Sequence, residues 1–184
     1  MLRILIVLLA VLLVSEAHST EAGWALLREG GHVVLLRHAN APGTGEPANF
    51  DIAKCATQRN LSDRGRQQAR RIGALFAARA APVERVLTSS FCRCKDTATL
   101  AFGDRLTEIY EPLDFLPGDE EGNEERAAAL TQFILDYTDS GNLVMVVNED
   151  VVDRLLHVRP HEAEAIIVGR AGEDLHVAGR IRFN

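Results

Sequence analysis

The chain has 184 residues, 47% of them hydrophobic, 25% charged and 5% aromatic, with a formal net charge of −6. That length accommodates one globular domain with a full core, and the apolar fraction excludes intrinsic disorder. The acidic balance argues against a nucleic-acid binder, which needs a basic stripe, and three cysteines are too few for a disulfide scaffold.

The first residues have the layout of an export signal. Arg3 supplies the positive start, Ile4 to Val14 is an unbroken apolar run, and Ser15 and Ala17 are small residues at cleavage-site spacing. The run falls short of the roughly 20 apolar residues that a membrane span wants. An uncleaved anchor is the rival reading. No cysteine follows the run to carry a lipid. The expectation is a signal over residues 1–17 and one domain over 18–184, exported, with a bacterial periplasm as the natural compartment. Export places the cysteines where disulfides persist. Cys55 can bridge over a long range to either Cys92 or Cys94, leaving one thiol, whereas a direct Cys92–Cys94 bridge is sterically awkward. Cys-x-Cys is poor zinc spacing, so a structural disulfide or a buried thiol ranks ahead of a metal.

Strands and helices then alternate. Glu21 to Arg28 reads as a short helix closed by Gly30-Gly31. His32 to His38 holds the apolar run of a strand buried on both faces. Asn40 to Asn60, rich in Pro, Gly and Asn, is a long loop, and such a loop in a compact domain is usually functional. Ser62 caps a helix to about Ala80, with Ala69, Ile72, Phe76 and Ala80 on one face and Arg64, Arg66, Arg70 and Arg71 solvated. A strand over Arg85–Thr88 and a helix over Cys92–Phe102 follow. Asn123 to Tyr137 is a helix with Glu124 and Glu125 at its positive end and a stripe of Ala127, Leu130, Ile134 and Tyr137. Leu143–Val147 and Ala165–Val168 are buried strands, and Leu175–Phe183 is an edge strand. The alternation predicts an α/β fold, a three-layer α/β/α sandwich around a mostly parallel sheet. Sites on such sheets collect at strand carboxyl ends, which points at His38, Thr88-Ser89 and Asn148.

Arg37-His38 at the end of the first strand suits a phosphate dianion: the guanidinium fork holds oxygens while the imidazole attacks phosphorus. Arg93 stands on the first turn of the Cys92 helix, where free backbone N–H groups already favour an anion. Two arginines converging from adjacent strand ends are more specific than either one. Other schemes lack support. There is no Gly-x4-Gly-Lys-[Ser/Thr] loop, and no Gly-x-Ser-x-Gly elbow. Gly43-Thr-Gly45 does not follow its strand directly, and Pro47 sits where a dinucleotide-binding helix would open. His157 and His161 are separated by Pro160 and have no further ligands near them.

Leu35-Leu36-Arg37-His38-Ala39 resembles the Arg-His-Gly signature of the histidine phosphatase superfamily, the phosphoglycerate-mutase-like proteins. Leu61-Ser-Asp-Arg-Gly-Arg-Gln-Gln-Ala69 is similar to that family's Leu-[Ser/Thr]-x-x-Gly-x-x-Gln-Ala helix start. Ser89-Ser-Phe-Cys-Arg-Cys-Lys-Asp-Thr-Ala98 resembles its Ser-x-x-x-Arg-x-x-x-Thr-Ala segment. The likeness is strongest to small exported members. It implies a phosphoglycerate-mutase-like fold, His38 as the nucleophile of a phosphohistidine intermediate, and Arg37 and Arg93 as the phosphoryl clamp. It implies no metal or other cofactor. The expected ligand is a phosphorylated small molecule or an envelope phosphate.

One residue departs from the pattern. The family carries a second histidine after a later strand, commonly as Val-Thr-His, and here that place holds Asn148. An asparagine amide can donate a hydrogen bond to substrate but brings neither charge nor proton, and loss of one such donor costs about 10²–10³ in rate. The sequence therefore supports a weakened phosphomonoester hydrolase or, as the alternative, a non-catalytic phosphate-binding module. Glu149 and Asp150 read as solvated residues opening the next helix. Glu108, Glu111 and Asp114 lie in an acidic stretch that either supplies the leaving group's proton or is a solvated loop.

Overall fold

The computed structural model describes residues 20–183, so the export-signal segment over 1–17 lies outside the described residues. The first helix, α1 (20–29), buries Trp24 and Leu27. It stops at Gly30, which takes φ +76° and lies so close to the Ser140 carbonyl that a side chain could not fit. The remaining elements are β1 (Val33–Arg37), α2 (Asp63–Ala78), β2 (Val83–Thr88), α3 (Cys92–Phe102), β3 (Thr107–Ile109), α4 (Glu120–Leu135), β4 (Asn142–Val147), α5 (Glu149–Leu156), β5 (Glu164–Ala171) and β6 (Asp174–Arg182).

The six strands form one sheet in the order β3-β2-β4-β1-β5-β6. The first four of these run parallel, and β5 pairs antiparallel with both β1 and β6. Strand alternation divides the apolar residues between two cores. Val34, Leu36, Val144, Val146 and Ile167 face one, with Trp24 of α1, Ile72 and Phe76 of α2 and Ala98 of α3. Val33, Leu35, Leu143, Met145 and Ile166 face the other, with Leu130 and Ile134 of α4 and Val151 and Val152 of α5. This is the expected three-layer α/β/α sandwich, and every residue of β4 is buried.

Ser62 caps α2 as predicted, its hydroxyl accepting from the Gly65 amide at 3.0 Å. A Cβ on Gly65 would lie 2.1 Å from the Asn40 carbonyl, so only glycine lets α2 start against the loop after β1. The helix ends at Ala78, so Ala80 leaves the predicted face and takes a positive φ in the following turn. Two other expectations need correction. α4 begins earlier than Asn123, because Asp119 caps it and Glu120 and Glu121 occupy its first turn; Asn123 is buried and bonds back to both backbone groups of Leu116. The acidic stretch after Leu106 also contains an edge strand, β3, too short and too polar on its outer side to show strand periodicity.

Of the pairings the sequence left open, the structure makes Cys55–Cys92 and leaves Cys94 buried as a free thiol. The bridge ties the Asn40–Asn60 loop to the first residue of α3, and Phe50 stacks on Phe91 beside it at 5.4 Å. Cross-linking residues separated by 37 positions restricts the unfolded chain. Cys55→Ser is accordingly expected to cost about 3 kcal/mol of stability. Urea unfolding of oxidised wild type and variant measures this, and dithiothreitol should lower only the wild type.

Candidate active site

The carboxyl ends of β1, β2 and β4 open onto a cavity of about 650 Å³ that is lined by Arg37, His38, Arg93 and Asn148. The four residues expected from the sequence thus share one pocket. The register explains why: Arg37 pairs with Val147 across the parallel β1–β4 ladder, and the His38 amide continues that ladder to the Val147 carbonyl at 3.1 Å. Asn148, the residue that directly follows β4, therefore stands beside His38. The two arginines do not come from adjacent strands, however. β4 lies between β1 and β2, so the segment carrying Arg93 reaches over Asn148.

His38 is buried, and its Nδ1 lies 2.8 Å from the Ala39 carbonyl oxygen. A carbonyl only accepts, so Nδ1 carries the proton and Nε2 keeps its lone pair. Burial in a site also crowded by Arg93, Arg59 and Arg37 outweighs the Ala39 bond and lowers the imidazole pKa to about 3. His38 is thus neutral at pH 7 and carries an unprotonated ring nitrogen. The same shift couples to folding. The unfolded chain takes up a proton near pH 6.5 that the folded chain refuses until about pH 3, so stability is full above 6.5 and falls as pH drops through that window. His38→Ala is expected to flatten this acid-side slope in urea titrations from pH 7 to 4.

Arg93 is 5% exposed. Its Nε donates to Asn148 Oδ1 at 2.8 Å, its Nη1 to Glu46 Oε1 at 2.6 Å, and its guanidinium lies 4.6 Å from the centre of the Phe91 ring. The Cys94 thiol also reaches Asn148 Oδ1, at 3.6 Å. Burial pushes that thiol's pKa up to about 12, which makes it a packing group and not a nucleophile. With Oδ1 thus occupied, the Asn148 amide nitrogen has no hydrogen-bond acceptor among the described residues. Arg37 donates to the Pro160 carbonyl at 2.7 Å and pairs with Glu149.

Several expectations change here. The start of α3 offers an anion fewer free amides than expected, since the Cys92 amide is taken by Gln58 and the preceding Ser90 amide by Asp114. Thr88 and Ser89 are buried beneath the site; Ser89 donates to Asp114 at 2.8 Å. Asp114 is therefore a brace, and Glu108 pairs with Arg85 on the surface. None of Glu108, Glu111 and Asp114 lines the cavity. Glu149 and Asp150 do open α5, but they line the cavity instead of facing away from it. The reason is that α5 starts directly after Asn148, so its first turn stays at the strand end.

Sequence reading missed Arg59 and Glu46, both from the Asn40–Asn60 loop. Arg59 lines the cavity and donates to the Ala41 carbonyl at 2.5 Å; burial and the charge of Arg93 lower its pKa, as expected for crowded cations. Its signal was an arginine in a long loop leading into a capped helix. Glu46 had none, because only the folded loop brings it to Arg93.

Against known proteins, residues 33–115 match the family described as the histidine phosphatase superfamily (branch 1). Among solved structures, the fold is similar to the protein histidine phosphatase SixA complexed with tungstate. The identity there is 16% with a TM-score of 0.56, and the match covers 82% of this chain and 96% of that one. It is also similar to open reading frame Rv3214 of Mycobacterium tuberculosis, at 20% identity, TM-score 0.62 and coverage of 83% and 97%. The alpha-ribazole phosphatase of Shigella flexneri matches at 16% identity and TM-score 0.58, covering 80% and 95%. No curated protein matches by sequence. The family match over residues 33–115 agrees with the resemblance carried by the sequence motifs, and the solved structures share the fold.

Proposed function

We propose that this chain is an exported phosphomonoester hydrolase whose nucleophile is His38. The observation that carries the reading is the state of that side chain: neutral, with Nδ1–H turned to the Ala39 carbonyl and Nε2 unprotonated in a pocket with Arg37, Arg59 and Arg93. Nε2 attacks phosphorus, the ester P–O bond breaks as the N–P bond forms, and the leaving oxygen takes its proton from water in the pocket. Water then cleaves the P–N bond and regenerates His38. The arginines offset charge on the phosphoryl oxygens, and the Asn148 amide supplies one neutral donor where relatives have a histidine. Rate is low for that reason. The export reading rests on residues 1–17 and places the reaction in a periplasm, on phosphorylated small molecules or envelope phosphates.

A second reading has its own support. Asn148 lacks a charge, and both Arg37 and Arg93 already hold carboxylates, as suits a module that binds an anion without turning it over. Phosphate release from an aryl phosphate by residues 18–184, compared with His38→Ala, tests the first reading. Loss of turnover in the variant supports it, and equal turnover overturns it.

A further inference from the structure

The pocket carries as much negative charge as positive. Four arginines line it, and so do four carboxylates, with His38 neutral. The carboxylates are not bystanders. Glu46 is 8% exposed; one of its oxygens takes Arg93 Nη1 and the other accepts the Arg59 backbone amide at 3.1 Å. Glu149 takes Arg37. Arg93 and Arg37 are thus each already paired with a carboxylate, whereas the Arg59 side chain donates only to the Ala41 and Gly43 carbonyls. A simple phosphate ester that takes over Arg37 and Arg93 displaces both carboxylates from those partners. It would leave them unpaired in a partly desolvated site, which is costly for a charged group.

A ligand that carried both charges would leave nothing unpaired. Its phosphoryl group takes over the arginines, while an ammonium a few bonds away takes over the displaced carboxylates. Asp150 adds a further carboxylate along α5, where Asp153 is paired with Arg159. We infer that the site selects zwitterionic phosphomonoesters, those with a cationic amine close to the phosphate, and that Glu46 and Glu149 are the residues that impose the choice. This rests on the phosphate-pocket reading above and names its substrate class.

Calorimetric titration of residues 18–184 with O-phosphoethanolamine and with 2-hydroxyethyl phosphate tests it, because the two differ chiefly in ammonium against hydroxyl. The expected result is at least about tenfold tighter binding of the amine, the scale of one charge-assisted pair. In Glu46→Gln and Glu149→Gln the ratio should fall towards one, because the hydroxyl ester gains affinity once a competing carboxylate is neutralised. Equal, measurable affinities in the wild type overturn the inference and leave the phosphatase reading intact. An undiminished preference in both variants overturns the roles of Glu46 and Glu149. Failure of both esters to bind overturns the phosphate-pocket reading and the inference with it.

Discussion

Replacing His38 by alanine is expected to lower phosphate release from an aryl phosphate by at least about 10⁴-fold, the scale on which loss of a covalent nucleophile is felt. Alanine removes Nε2 and leaves the arginines and Asn148 where they are, so ligand binding should survive the loss of turnover. Single-turnover experiments make the distinction sharp. A P–N bond is stable in alkali and labile in acid, so alkaline quenching should retain labelled phosphate on the wild-type chain and none on His38→Ala. Label that persists in the variant would assign the nucleophile elsewhere. The flattened acid-side stability slope expected of the same variant gives an independent readout. It depends only on His38 being buried and neutral, whether or not the protein turns over.

The second large effect runs the other way. Asn148→His is expected to raise turnover of the same aryl phosphate by up to about 10²-fold, with little change in KM, because a ring N–H in that position meets charge that develops in the transition state. The geometry is favourable, since residue 148 directly follows the strand that pairs with β1 and already touches Arg93 through its side chain. A wild type that turns over and gains only modestly would mean that the asparagine amide is a working donor. Turnover by the variant only would favour the binding-module reading, with a sound pocket that no longer hydrolyses its ligand.

The carboxylates around the arginines set how both results should be read. Glu46 and Glu149 compete with a simple aryl phosphate for Arg93 and Arg37, so such a substrate underestimates what the site can do. An amine-bearing ester removes that handicap. Rates measured on the two classes side by side separate slow chemistry at Asn148 from weak binding of the wrong substrate.

What the sequence by itself determined follows from local periodicity and fixed spacing. The buried strands over Val33–Arg37 and Asn142–Val147 were legible because runs of apolar residues have few other places to go. The Ser62 cap was legible because its signature is confined to four positions. The layers and the mostly parallel sheet followed from the alternation of these elements, His38 with its neighbour Arg37 and Asn148 from the rule that sites gather at strand ends, and Arg93 from its place on the first turn of the Cys92 helix. Tertiary structure decided whatever depends on partners distant in sequence. It paired Cys55 with Cys92 in preference to Cys94, placed β4 between β1, which carries Arg37, and β2, which leads to Arg93, and turned Asp114 from a candidate acid into a brace for Ser89. Above all it carried Glu46 47 residues along the chain to Arg93. No period or motif encodes that contact. It arises because a loop tethered at Cys55 and stacked through Phe50 folds back over the pocket, and an ion pair forms wherever packing brings opposite charges together out of water.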